Sequence, residues 1–214
     1  MPTGLVIRDI IAITGHRDYP DPGSLYKGLD RLQAKEYVFG GARGTDSDAL
    51  KYLSRTQPAA VKTVVVPNRL IDQPFETRAI TRRHANNIIE LRNSGPDRYR
   101  IRNRFIVDRS THVRAFYDFR GKGGTFNTIN YSRSSGKSFD VWPLNRFDKN
   151  EIMAKSPGQF KEWFNQMKTH KVDLRAVKTL ILQYILHVLG ITVQAFIKAL
   201  GYVGVKTLEA VWKQ

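Results

Sequence analysis

The sequence predicts an α/β protein: a Rossmann-like parallel five-stranded sheet with flanking helices, followed by a C-terminal α-helical appendage. Three observations lead there. Apolar, strand-like runs recur at residues 7–14, 37–39, 61–66, 112–117 and 138–142, separated by stretches with helical spacing, and such alternation calls for parallel strands with right-handed crossovers. Two of these runs end near glycine-rich turns, at residues 40–45 and 120–125. Beyond residue 145 the strand patterning stops and only helical patterns remain.

Residues 7–14 (IRDIIAIT) are β-branched and apolar on both faces, as a central parallel strand should be, and stop at Gly15-His16-Arg17. Pro20, Pro22 and Gly23 mark a loop, after which Ser24 is expected to cap a short helix to about Leu32. Residues 37–39 form a second strand that runs into Gly40-Gly41-Ala42-Arg43-Gly44, with Thr45 or Asp46 as cap of a helix to about Ser54. The third strand, residues 61–66, ends at Pro67. Residues 75–109 read as helix, loop and helix, broken at Asn93-Ser94-Gly95-Pro96. The fourth strand at 112–117 leads through the second glycine turn into a helix at 126–134, and the fifth strand at 138–142 closes on Pro143.

These features divide the chain into a domain over 1–145, a polar linker over 146–158 and a helical appendage over 159–214, with helices expected at 159–169, 174–189, 192–200 and 205–213. Leu174, Val177, Ile181, Tyr184 and Val188 fall on one face of the second of these. Residues 179–197 carry no formal charge and approach bilayer-spanning length, but Gln183, His187, Gly190, Thr192 and Gln194 interrupt them. The expectation is a buried helix pair and no membrane partner. The helix, Gly-containing turn and helix over 192–213 departs from DNA-reading spacing, which favours a homo-oligomer or a protein partner through these helices.

With 35 Lys and Arg against 19 Asp and Glu, the 214-residue chain has a formal charge of +16. A quarter of the residues are charged and 41% are hydrophobic, so the charge sits on a chain able to bury a core. Such an excess points to a polyanion, most simply nucleic acid. Between Arg78 and Lys122 twelve basic residues face four acidic ones, half of the whole excess, with Tyr99, Phe105, Phe116, Tyr117 and Phe119 interleaved. The absence of Cys removes disulfides, thiolate zinc sites and cysteine nucleophiles. The five histidines show no metal-binding spacing, so neither a metal nor a cofactor is expected. The N-terminus has no basic stretch followed by an apolar run, and no signal peptide is expected.

Glycines where strands end and helices begin let backbone N–H groups approach an anion, and threonine adds a hydroxyl donor. The phosphate- or nucleotide-binding candidates are therefore Gly15, Arg17, Gly41, Arg43, Gly44 and Thr45 in the first region and Gly123, Gly124 and Thr125 in the second. Arg100, Arg102, Asn103, Arg104, Arg120 and Lys122 are the nucleic-acid-binding candidates. Asp46, as general base or ribose-hydroxyl acceptor, and His16, as acid–base group, are the weak catalytic candidates.

Gly15-His16-Arg17, GGARGTDSDAL (40–50), Arg102-Asn103-Arg104-Phe105-Ile106-Val107 and GGTFNTINYSRSSGKSFDVWP (123–143) together resemble the SLOG superfamily over residues of about 7–143. This group of Rossmann-like domains includes the DprA/Smf DNA-processing proteins, the YspA-type proteins and the LOG phosphoribohydrolases. The Arg-Asn-Arg-Phe-Ile stretch resembles the DprA type, which binds single-stranded DNA; GGARGTDSDA looks most like the YspA type, with a nucleotide-derived ligand. A cytoplasmic protein of a bacterial or phage-infected cell is expected, in keeping with the absence of Cys and of a signal peptide. LOG enzymes carry a glutamate three residues after the threonine of their PGGxGTxxE motif. Here that position is Thr128, and Lys122 replaces the proline-glycine element, so the resemblance implies a binding fold without that hydrolysis. The expected function is non-catalytic, DprA-like binding of single-stranded DNA. The alternatives are a nucleotide-derivative sensor or phosphoribohydrolase-like enzyme, and a structural or assembly protein, for example of a phage, that retains the fold.

Overall fold

A computed structural model describes residues 8–19, 22–119, 121–144 and 149–190. They form two compact units, one of residues 8–144 with 170–173, the other of 149–169 with 174–190.

The first unit is a six-stranded, all-parallel sheet with flanking helices. Its elements run β1 (Arg8–Gly15), α1 (Pro22–Leu29), β2 (Ala34–Phe39), α2 (Thr45–Thr56), β3 (Val61–Val66), a 3₁₀ turn (Leu70–Asp72), α3 (Phe75–His84), β4 (Asn87–Glu90), α4 (Arg98–Arg109), β5 (His112–Tyr117), α5 (Gly124–Ser134) and β6 (Phe139–Pro143). The strand order is β4-β3-β2-β1-β5-β6. From β1 the chain winds outward through β2 to β4, then crosses back to lay β5 on the other side of β1, with Ala12 beside Val113 and Thr14 beside Ala115. The carboxyl ends of β1 and β5 therefore flank the point where strand order reverses, the usual ligand crevice of an open α/β sheet.

β3 and β5 have the predicted bounds, and every residue in them except Val61 is buried, Lys62, His112 and Arg114 included. The sixth strand is a departure from expectation. Asn87–Glu90 lies inside the stretch predicted to be helix and loop, and it pairs with β3 through Val64 beside Ile88 and Val66 beside Glu90. Ser24 does not cap α1 but lies within it: its Oγ donates to the Pro143 carbonyl at 3.3 Å and accepts from Trp142 Nε1 at 3.2 Å, tying the helix to β6. Neither Thr45 nor Asp46 caps α2. Gly44 holds the cap position with φ 73° and ψ −127°, and no side chain caps the helix.

Within the basic segment, two arginines are structural. Arg114, 2% exposed in the middle of β5, pairs with Asp140 of β6 at 2.7 Å and with Asp173 at 3.3 Å, and its guanidinium lies over Trp142. Asp173 belongs to residues 170–173, which bridge to β6 through Val172 beside Val141. Arg102 is also buried and is described with the site.

In the second unit, α6 (Lys149–Met153) forms within the segment expected to be a linker, and α7 (Pro157–Thr169), a 3₁₀ turn (Leu174–Ala176) and α8 (Lys178–Val188) follow. Tyr184 stacks on Phe160 with ring centroids 3.7 Å apart and donates to the Lys155 carbonyl at 2.9 Å. Val177, Tyr184 and Leu186 are buried, whereas Val188 is exposed, so the predicted stripe shortens at its C-terminal end. Among the described residues no helix is long and apolar enough to cross a membrane. The helices predicted at 192–200 and 205–213 lie outside the described residues.

Candidate functional site

At the reversal point the end of β1, the loop after β2, α4 and the start of α5 enclose a cleft of about 960 Å³, within the size range of small-molecule sites. Its floor comes from Thr14, Gly15, His16 and Arg17 and from Gly40, Ala42 and Asp46. One wall is α4, with Tyr99, Arg100, Arg102, Asn103 and Arg104; the other is α5, with Gly123, Gly124, Thr125, Asn127, Asn130 and Tyr131.

The two glycine-rich turns have opposite characters. In the first, the amides of Gly40 and Ala42 both donate to Asp46 Oδ2, at 3.1 and 3.2 Å, so the protein's own carboxylate occupies that nest of donors. Gly41, Arg43, Gly44 and Thr45 are not among the residues lining the cleft. The Thr45 amide and hydroxyl both donate to the His16 carbonyl, at 3.0 and 2.9 Å, so this hydroxyl serves the fold and not a phosphate as expected. Close packing explains the glycines. A Cβ on Gly44 would overlap the backbone of Arg17, and one on Gly41 would approach Val64 to 2.9 Å.

The second turn is open. Cβ atoms built on Gly121 or Gly123 meet nothing within 4 Å, and one on Gly124 meets only Asn103 Nδ2 at 3.7 Å. Gly123 has φ 97°, a conformation that favours glycine, and it precedes the first turn of the eleven-residue α5. Backbone donors at a helix N-terminus are an anion site when nothing covers them. Thr128 donates its hydroxyl to the Gly124 carbonyl at 2.9 Å.

Asp46 and Arg102 are held together by the Gly40 peptide. Asp46 accepts from its amide, and the Arg102 guanidinium donates to its carbonyl while Nε donates to Asn103 Oδ1 at 2.9 Å. Arg102 is 8% exposed and Asp46 7%. Burial pushes the Asp46 carboxyl up from the usual carboxylate range, against the pull of Arg102, the two amides and Arg17. Burial likewise pulls the Arg102 guanidinium down, which Asp46 opposes. Arg102 is thus an internal counter-charge more than the exposed phosphate contact that was expected.

His16 is buried in the cleft floor, with Nε2 2.8 Å from Asp118 Oδ1 and its ring stacked on Tyr117 at 5.3 Å. At this distance the largely buried Asp118 carboxyl can hold the orientation of the imidazole. Arg100 and Asp97 form an exposed pair at 2.9 Å; such pairs are worth at most about 1 kcal/mol, so Arg100 can turn to another anion.

Of the predicted residues the cleft brings together Gly15, His16, Arg17, Asp46, Arg100, Arg102, Asn103, Arg104, Gly123, Gly124 and Thr125. Lys122 is exposed outside the lining, and Arg120 lies outside the described residues. The basic segment does not form one surface. Of its eleven described members only Arg100, Arg102 and Arg104 line the cleft, and Arg109 is engaged by Glu36 at 2.9 and 3.1 Å. Asn127, Asn130, Tyr131 and Ser134 are lining residues that sequence reasoning missed. Their spacing i, i+3, i+4, i+7 is one helical face, and its polarity was the available signal.

Fold and cleft together define a Rossmann-like α/β protein with an open glycine turn at its topological switch point. No protein-family model matches the chain, and no curated protein matches it.

Proposed function

We propose that this protein binds a phosphate-bearing ligand of the nucleotide class in the switch-point cleft, as a Rossmann-like binding domain related to the SLOG superfamily. The phosphate sits at Gly123, Gly124 and Thr125, with Arg17, Arg100 and Arg104 as its counter-charges. The contrast between the two turns carries the reading: one set of amides is filled by Asp46, whereas at the second the Gly121 amide goes to Tyr117 Oη and only Asn103 Nδ2 comes near a Cβ built on Gly123 or Gly124. No catalytic step is assigned, since the hydroxyl of Thr128 is engaged where a LOG enzyme has its carboxylate.

Single-stranded DNA is the second reading. It is favoured by Tyr99, 43% exposed on α4 with the Arg98 guanidinium 5.0 Å from its ring, an arrangement on which a base can stack. The free nucleotide is preferred because the arginines of the basic segment are dispersed or internal.

Thermal unfolding with adenosine monophosphate separates the readings. A ligand at about 100 times its Kd raises stability by about 2.7 kcal/mol, so the melting point should rise with the nucleotide, and an oligonucleotide should show no gel shift at about 50 mM salt. A gel shift that weakens steeply with salt, without a nucleotide effect, would establish the strand reading instead.

A further inference from the structure

We infer that the cleft takes a ligand carrying a sugar-type hydroxyl as well as a phosphate, and that Asp46 Oδ1 receives this hydroxyl. The inference rests on the phosphate-binding reading above and adds the part of the ligand that the phosphate does not define.

Asp46 lines the cleft from the first turn of α2 and is more than nine-tenths buried. Both protein donors that reach it, the amides of Gly40 and Ala42, converge on Oδ2. Among the described residues Oδ1 has no hydrogen-bond donor and no cation within ion-pair distance; the two Arg102 N–H groups with partners there go to Gly40 and Asn103. Asp46 is not sealed inside the protein: 7% of it stays exposed, and it lines the cleft. A largely buried carboxyl oxygen without a donor is costly, and the cleft is the side from which one can come.

The protonation chemistry selects a hydroxyl. Oδ2 accepts from two amides and stays unprotonated, so a proton on this carboxyl resides on Oδ1. Burial favours the protonated form while Arg102 and the amides favour the ionised one. A hydroxyl can accept from the acid and donate to the carboxylate, whereas an ammonium only donates and a phosphate oxygen without a proton only accepts. Asn127 and Asn130 on α5 offer amides that also donate and accept, as a polyol requires. Ribonucleotides and sugar phosphates share this chemistry.

The test is calorimetric titration of the full chain with adenosine monophosphate, its 2′-deoxy and 3′-deoxy forms, ribose 5-phosphate and inorganic phosphate. One of the two deoxy nucleotides should bind the wild-type protein about tenfold more weakly than adenosine monophosphate. In Asp46→Asn, whose amide oxygen can still accept from Gly40 and Ala42, the gap should narrow to about threefold, because a neutral hydrogen bond is roughly half as strong as a charge-assisted one. Ribose 5-phosphate set against the nucleotide tells the two carriers apart, and its binding above inorganic phosphate supports a sugar-phosphate ligand when a deoxy nucleotide also binds more weakly. Equal affinity of all three nucleotides for the wild-type protein overturns it while leaving the phosphate site standing. No binding of any probe, phosphate included, overturns both.

Discussion

Replacing Arg102 with Met should destabilise the protein by about 2–3 kcal/mol, the usual cost of leaving a buried polar group without its partner. The change leaves the Gly40 carbonyl without its guanidinium donor and Asp46 without the cation that most opposes its desolvation. The loss should also depend on pH. A carboxyl whose folded pKa is raised retains its proton in the folded chain at a pH where the unfolded chain has released it. Stability therefore falls as pH rises from about 4, the unfolded value, through the folded pKa. Without Arg102 the folded pKa rises further, so the deficit of Arg102→Met should be greater at pH 7 than at pH 4. Urea unfolding at the two pH values measures it. A pH-independent loss, or one below about 1 kcal/mol, would show that Asp46 does not depend on this guanidinium.

Gly44→Ala should be comparably damaging, on the order of 3 kcal/mol, for a backbone reason. Gly44 combines φ 73° with ψ −127°, which a side chain resists, and its Cβ would overlap the Arg17 backbone. The two loops cannot easily separate, since Thr45 binds the His16 carbonyl through both amide and hydroxyl. Gly123→Ala also carries a positive φ but meets open space, so it should lose less. Comparing the two melting points isolates the cost of the close approach from that of the dihedral angle.

What could be read in the sequence follows from how local each cause is. Val61–Val66 and His112–Tyr117 were legible because short runs rich in β-branched or aromatic residues favour a strand without help from elsewhere. Asn87–Glu90 was not, since four residues following an arginine-rich helix become a strand only by pairing with β3. Both glycine turns were placed at the correct ends of their strands. Which one is open was not legible, because Asp46 closes the first by folding back on Gly40 and Ala42. Arg114 illustrates the same limit. Its charge looks like surface in the sequence, and only the register that sets it beside Asp140 turns it inward.

The central claim, that the open turn at the start of α5 receives the ligand's phosphate, is tested most directly by Gly124→Val. Its Cβ has room in the folded protein, with only Asn103 Nδ2 at contact distance, so the variant should keep its circular dichroism and melt within a few degrees of the wild type. A valine at that point stands where the phosphate would lie. Titration of adenosine monophosphate should give saturable one-to-one binding to the wild-type protein and at least a hundredfold weaker binding to Gly124→Val. Equal affinity for the two folded proteins would contradict the account.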